Sequence, residues 1–323
     1  MKKLVLLSLA CAGVMITGCV WNTRTKMMPM QAPVGWWYPR TGDFQNHMQY
    51  ANLCRISLTD WHIHIRGGMT PDKAVNRQMM SGIKSAVLEN FGREWPLSNN
   101  FALAKFIMDS RKLTSIPQYR DRAGELRFEH DLLISLENIT YRKPDPLPVG
   151  IQVNDRDWYR QIDPRLYEQL DFVLADTMIM GVTAEGKPQR LWLPDVKIDD
   201  ADAWMEEYMA HNLRILDEPV SILANPTYLP PCISNQYERL WTEDRMRQVI
   251  AKAIANNVAL EIQAESPYPK PAFIRLAKQM GAKFCFGTNN SDDKAKDLST
   301  WFNAIEQLDL RPSDIAEIKR RPL

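Results

Sequence analysis

The segment Asp60-Trp61-His62-Ile63-His64 sets two imidazoles at positions i and i+2. Alternate side chains of a strand share a face, so a strand entering this segment aims His62 and His64 at one point. Two imidazoles so placed are a ready pair of metal ligands, or else a hydrogen-bonded structural pair. Arg66 and Arg156 stand just past expected strand ends, where a guanidinium can fork a phosphate or carboxylate or pair with a neighbouring acid. Polar residues recur where other strands should end: Glu89-Asn90, Asn154-Asp155, Asp176-Thr177, Asn225-Pro226, Glu261 and Thr288-Asn289-Asn290. Such a ring of polar ends is what an active-site floor needs. No nucleophile elbow, Walker loop or G-x-G-x-x-G accompanies it, so neither Ser/His/Asp hydrolysis nor nucleotide cradling is indicated.

The elements that must carry these residues alternate between short apolar runs and amphipathic helices. The runs Ile56–Leu58, Ala86–Leu88, Gly150–Val153, Phe172–Ala175, Val220–Ala224, Val258–Ile262 and Lys283–Phe286 suit buried parallel strands. Between them lie helical stripes: Val75, Met79 and Ile83 behind a Thr70-Pro71-Asp72 start; Leu103, Phe106 and Ile107 behind Ser98; Met205, Met209, Leu213 and Leu216; Met246, Val249, Ile250, Ala253 and Ile254 behind Thr242; Phe273, Leu276, Ala277 and Met280 between Pro271 and Gly281; and Leu298, Trp301, Phe302 and Ile305. Strand alternating with helix over about 270 residues predicts an α/β fold, a closed parallel βα barrel, whose site lies at the C-terminal strand ends. The stretch Thr114–Pro148 reads as an insertion in which Phe128, Leu132 and Leu136 suggest a helix, a spacing that argues against Glu137 as a ligand. His130 there is given no role, His211 falls on a helical stripe, and Asp292 and Asp293 read as the start of the last helix.

Lys plus Arg is 40 against 39 for Asp plus Glu, a formal charge of +1, which gives no electrostatic reason to expect nucleic acid. No apolar run reaches the roughly 18 residues of a membrane-spanning helix. The chain opens with Lys2 and Lys3, an apolar stretch from Leu4 to Ile16, and then Ile16-Thr17-Gly18-Cys19. That is the layout of a secretory signal, and its end resembles the bacterial lipobox, in which the Cys becomes the lipidated first residue. The expected organisation is a signal peptide over residues 1–18, lipidation at Cys19, a tether over 19–54, and a barrel domain over 55–323. Acyl chains then anchor the exported protein to a membrane, and Val20, not being acidic, leans toward the periplasmic face of an outer membrane. Trp36, Trp37 and Tyr38 in the tether read as a plug on the domain surface. Of five cysteines, Cys54, Cys232 and Cys285 lie outside the signal, too few and too scattered for a disulfide framework.

The stretch Asp60-Trp61-His62-Ile63-His64-Ile65-Arg66-Gly67-Gly68 resembles the opening of the polymerase-and-histidinol-phosphatase (PHP) family. The resemblance continues at Ser81–Val87, Ala224-Asn225-Pro226, Leu260-Glu261-Ile262 and Phe286–Asn290. It implies a closed (βα)7 TIM-like barrel of PHP type that hydrolyses phosphate esters with divalent metals. The departures are as informative. Glu89-Asn90 stands for the family's Asp-His, Gln152 (or Asn154 or Asp155) for the third-strand Glu, Asn225-Pro226 for His-Pro, and Asn289-Asn290-Ser291 for Asp-x-His.

With five His in the chain, a three-metal set cannot be built. The resemblance then implies one divalent metal, zinc or manganese, held by His62, His64 and Asp176 with Asn289 or Asn154. Asp155 or Asp60 would take the proton, and Arg66 and Arg156 would hold the charge of a small polar or anionic substrate. The alternatives are a barrel that has lost its chemistry and serves in binding or assembly, with Asn90, Asn225 and Asn289 forming a metal-free pocket for a sugar or carboxylate, and an amidohydrolase-like or carbohydrate-cleaving enzyme.

Overall fold

The computed structural model describes residues 56–81, 83–111, 118–122, 125–129, 147–183, 185–292, 294 and 296–323. Residues 1–55, including Cys19, Trp36, Trp37, Tyr38 and Cys54, lie outside the described residues, as do His130, Leu132, Leu136, Glu137 and Asp293.

Short, mostly apolar runs become the barrel strands, and more polar segments the two hairpins: β1 (Thr59–His64), β2 (Lys84–Phe91), the hairpin β3 (Gln118–Arg122) and β4 (Glu125–Glu129), β5 (Val149–Val153), β6 (Phe172–Asp176), the hairpin β7 (Ile179–Val182) and β8 (Pro188–Arg190), β9 (Ile222–Ala224), β10 (Ala259–Gln263) and β11 (Phe284–Gly287). Seven of them close into a barrel in the order β1-β11-β10-β9-β6-β5-β2, every pair parallel. Six of the barrel strands overlap the runs expected from the sequence, with ends moved by up to three residues, and the seventh starts just after its expected run. The largest move is in the first: Ile56–Leu58 precedes β1, and the His pair lies within the strand.

The helices that cover the barrel are α1 (Pro71–Ser81), α2 (Asn100–Arg111), α3 (Ala201–Asp217), α4 (Glu243–Ala255), α5 (Pro271–Met280) and α6 (Ser299–Gln307). Thr242 caps α4 by accepting from Arg245 N, and Gly281 ends α5 at φ 88°, a left-handed value that suits a glycine. Four expectations are corrected. Asn99, not Ser98, caps α2, its Oδ1 accepting from Ala102 N at 3.0 Å. Ile83 falls beyond α1, against the start of β2. Asp292 sits ahead of α6, closing a turn by accepting from Lys294 N, and the helix begins at Ser299. Phe128 lies in β4, opposite Tyr119, not in a helix. The alternation in Glu125-Leu126-Arg127-Phe128-Glu129 has the period of a strand, and it prevails over the wider spacing that suggested helix.

Most of the buried apolar side chains fill the layer between barrel and helices. A smaller set fills the barrel: Ala86, Leu88, Leu174, Ile222 and Ala224 around Phe172, whose ring meets Trp61 edge-on with centroids 5.2 Å apart. Gly150 makes room for that ring, since a Cβ there would come within 2.6 Å of it. The C-terminal tail closes the N-terminal end of the barrel: Ala316 N donates to Phe284 O at 2.8 Å, and Ser221 Oγ donates to Lys319 O at 2.9 Å. Among the described residues no helix is long and apolar enough to cross a membrane.

Candidate functional site

The opposite, C-terminal end of the barrel is open. Against β2, the pairing of β1 runs Asp60↔Ser85 and then Ile63↔Val87, so Trp61 and His62 together oppose the single Ala86. This bulge re-aims the strand locally. His62 and His64 emerge beside each other, ring centroids 5.2 Å apart and planes tilted by 52°, both fully buried.

The two rings have different surroundings. His62 Nδ1 lies 2.6 Å from Glu261 Oε1, and its Nε2 lies 2.9 Å from Gln152 Oε1. Gln152 is oriented by its other end, for Nε2 donates to Asp176 Oδ2 at 3.2 Å and to Asn154 Oδ1 at 3.3 Å. Its carbonyl therefore faces the imidazole, which donates from Nε2. Burial acts to lower the His62 pKa, but Glu261, with Asp176 and Gln152 adding to it, more than offsets burial, so the net shift is upward. Glu261 is held in turn by Asn225 N on Oε2 at 3.2 Å. Gly287 leaves the space for its carboxylate, because a Cβ at that position would sit 1.9 Å from Oε1.

His64 instead has Nδ1 3.3 Å from Glu89 Oε1, and Nε2 is buried without a partner. Glu89 Oε1 also accepts from Arg66 Nη1 at 3.1 Å and Asn90 N at 2.7 Å. A carboxylate so placed fixes the proton on Nδ1 and leaves the Nε2 lone pair free. Burial lowers the His64 pKa to about 4, the Glu89 hydrogen bond opposing it only in part.

Over His64 opens a cavity of about 640 Å³. Its floor is the buried His64, Asn90, Gln152 and Asp176, and its mouth carries Arg66, Trp95, Arg190, Trp192 and the exposed Asn289. Besides His64 Nε2, Asn90 Oδ1 and the nearby Asn154 Nδ2 are buried without a hydrogen-bond partner. Burial also raises the Asp176 pKa; that carboxylate accepts from Gln152, from Met178 N and from Asn225 Nδ2.

The structure thus brings His62, His64, Asp176, Asn154, Asn90 and Asn289 to one end of the barrel and removes others from the floor. Asp60 stitches β1 to the end of β11, accepting from Thr288 N at 2.9 Å, Thr288 Oγ1 at 2.6 Å and His62 N at 3.1 Å, and burial raises its pKa to about 6. Asp155 packs against the Gly92 turn that carries Trp95 and does not line the cavity. Arg156 Nη1 donates to Glu218 Oε2 at 3.0 Å, the ion pair that the sequence left open as an alternative to substrate binding. Asn225 ties Asp176 to Glu261 beneath the floor. Arg66 reaches the cavity but is engaged with Glu89.

These engagements decide the fit to a divalent ion. Both His62 nitrogens are occupied, both Asp176 oxygens accept hydrogen bonds, and the free atom of Asn154 is an amide N–H donor, which repels a cation. Among the described residues no group of three or more His, Cys, Asp and Glu side chains is placed to hold a metal ion. The donor set as arranged does not fit one.

Sequence reading missed Trp95, Arg190 and Trp192. Arg190 ends the β7–β8 hairpin inserted after β6, where Thr183 and Gly186 form the turn, and Trp192 follows it. The turn residues were a signal for the hairpin, but nothing local says that it folds over the mouth. No protein-family model matches the chain, and no curated protein matches it. The PHP resemblance therefore stands on the quoted segments alone, while the closed seven-stranded parallel barrel is the fold.

Proposed function

We propose that this chain is an exported, lipid-anchored barrel protein that binds a small, hydroxyl-rich ligand at the barrel mouth without a resident metal. The observation that carries this reading is His64, whose Nδ1 is pinned by Glu89 while Nε2 stays buried and unpaired on the cavity floor. A buried polar atom without a partner costs about 1–3 kcal/mol. His64 Nε2 and Asn90 Oδ1 offer acceptors and Asn154 Nδ2 a donor. A ligand hydroxyl both donates and accepts, so a polyol or sugar matches this mixture and recovers the desolvation cost. Cys19 is the proposed lipidation site, and Cys19→Ala should move the protein from the membrane to the soluble fraction.

A thermal-shift screen of hexoses and polyols, followed by calorimetry, tests the binding reading. His64→Ala and Asn90→Ala should each weaken the best binder at least tenfold, with added zinc or manganese changing nothing. Unchanged affinity in both variants would sink it. The competing PHP-type phosphoester hydrolase is favoured by the adjacency of the two imidazoles, and it requires His62 to release Gln152 or Glu261. Stoichiometric zinc or manganese in the purified chain, together with phosphoester turnover lost in His62→Ala, would establish that reading instead.

A further inference from the structure

The mouth of the cavity holds a guanidinium whose hydrogen-bonding edge is open. Arg190 Cζ lies 5.3 Å from the Trp95 ring centroid and 5.9 Å from that of Trp192, so both indoles lie against the one cation. Among the described residues the guanidinium has neither a carboxylate nor a hydrogen-bond partner. The other two arginines that the sequence offered for anion binding are engaged, Arg66 by Glu89 and Arg156 by Glu218. Stacking on aromatic rings uses the faces of a guanidinium and leaves its five in-plane N–H donors available.

The position is fixed from below. Arg190 pairs with Ile179 across the hairpin, and Leu191, fully buried, donates its N–H to Met178 O at 2.9 Å. Trp95 is set by the turn in which Trp95 N donates to Gly92 O at 3.1 Å and Leu97 N to Asn90 O at 3.0 Å. Gly92 has φ 139°, and a Cβ there would come within 2.3 Å of Asp155 Oδ2 and 2.8 Å of Trp95 Cδ1, so only glycine allows this turn. The clamp and the unpaired floor atoms of His64 and Asn90 share one cavity.

The geometry points to Arg190, held by Trp95 and Trp192, as an oxyanion subsite: the ligand of this cavity carries a carboxylate or phosphate group beside its hydroxyls. The inference rests on the pocket reading and adds to it the charge of the ligand and the residue that reads it. A guanidinium can meet either oxyanion with two parallel N–H bonds, whereas an ammonium offers a point charge and no plane to stack.

Calorimetry on the full chain with D-glucuronate, glucose 6-phosphate and methyl glucoside as probes tests it. At least one of the two anions should bind tenfold or more tightly than the neutral glucoside, and which one it is distinguishes carboxylate from phosphate. Arg190→Met, which keeps an apolar stem between the indoles, should abolish that preference while leaving methyl glucoside affinity within twofold. Arg190→Lys should restore less than a third of the preference. Equal affinity for charged and neutral probes, or an intact preference in Arg190→Met, overturns the inference. So does a melting temperature lowered by more than a few degrees in Arg190→Met, which would mark the clamp as structural. If methyl glucoside binds and is lost in His64→Ala but no anion preference exists, the subsite alone fails; if no probe binds, both readings fail.

Discussion

Gly287→Ala is the sharpest test of how the barrel floor is held. A methyl group at this position would lie 1.9 Å from Glu261 Oε1, 2.9 Å from Glu261 Cδ and 2.7 Å from His62 Cβ, and real Cβ contacts essentially never fall below 3.0 Å. The carboxylate must therefore retreat by about an ångström, which ends its 2.6 Å contact with His62 Nδ1. Both partners are wholly buried, and separating such a pair leaves an uncompensated charge, at a cost of about 3–5 kcal/mol. The backbone works the other way: losing glycine's freedom in the unfolded chain stabilises by roughly 0.4–1 kcal/mol. The net expectation is a loss of about 2–4 kcal/mol, or roughly 5–15 °C in melting temperature for a domain of this size. Urea denaturation measures the loss, and imidazole nitrogen NMR reports whether His62 still donates from both nitrogens. A double-mutant cycle with Glu261→Ala separates displaced carboxylate from plain overpacking, because removing the carboxylate should cut the cost of Gly287→Ala by at least half. Additive costs in that cycle, or a loss below about 1 kcal/mol, would refute the account.

Gln152→Glu should destabilise by about 2–4 kcal/mol at neutral pH, since it replaces an amide donor with an oxygen facing Asp176 Oδ2 and Asn154 Oδ1; denaturation should show the defect shrinking below about pH 5, and an unchanged midpoint would contradict it. His211 has its pKa lowered to about 3 by burial, with Arg156 and Arg214 adding to it, so the unfolded chain takes up this proton first as pH falls. Its contribution is complete above about pH 6.5 and declines by about 1.4 kcal/mol per unit below it; the stability gap between the protein and His211→Gln should show that slope, and parallel curves would refute it. Removing residues 315–323 opens the N-terminal end of the barrel and deletes the bonds from Ala316 N to Phe284 O, from Ser221 Oγ to Lys319 O and from Tyr167 OH to Arg321 O, so a loss of about 3–5 kcal/mol is expected from urea midpoints.

Six of the barrel strands were legible because a strand covered on both faces reads as a largely apolar run, unbroken in Phe172–Ala175 and interrupted by Glu261 alone in Val258–Ile262. Their ends were less so, since an apolar run does not say where pairing stops. The first expected run, Ile56–Leu58, lies wholly ahead of β1 because Asp60 and His62 have the polar character of a strand's exit. They lie inside it because Thr288, Gln152 and Glu261 satisfy them from β5, β10 and the end of β11. Asp292 and Asp293 looked like a helix start because acids favour a first turn, whereas Asp292 closes a turn of its own. The imidazole pair could be read from spacing alone. The clamp could not, since Trp95 and Arg190 belong to different loops that only the closed barrel brings to one mouth.

The pair itself shows why motif and site are different things. His62 and His64 are chemically identical and two residues apart, and nothing in their spacing distinguishes them. What separates them arrives from far along the chain: Gln152 and Glu261 are 90 and 199 residues from His62, whereas the carboxylate beside His64 is Glu89, on the neighbouring strand. Two oxygens on opposite sides of the His62 ring make it a donor twice over, a cross-brace that ties β1 to β5 and β10. One carboxylate on one side of His64 fixes the proton away from the cavity and turns a lone pair toward it. The same residue type thus closes the floor at one position and opens a binding group at the next, and the amides at Gln152 and Asn225 are what permit it. Gln152 presents a carbonyl to one neighbour and N–H groups to Asp176 and Asn154, a junction that a carboxylate at that position could not make without protonation.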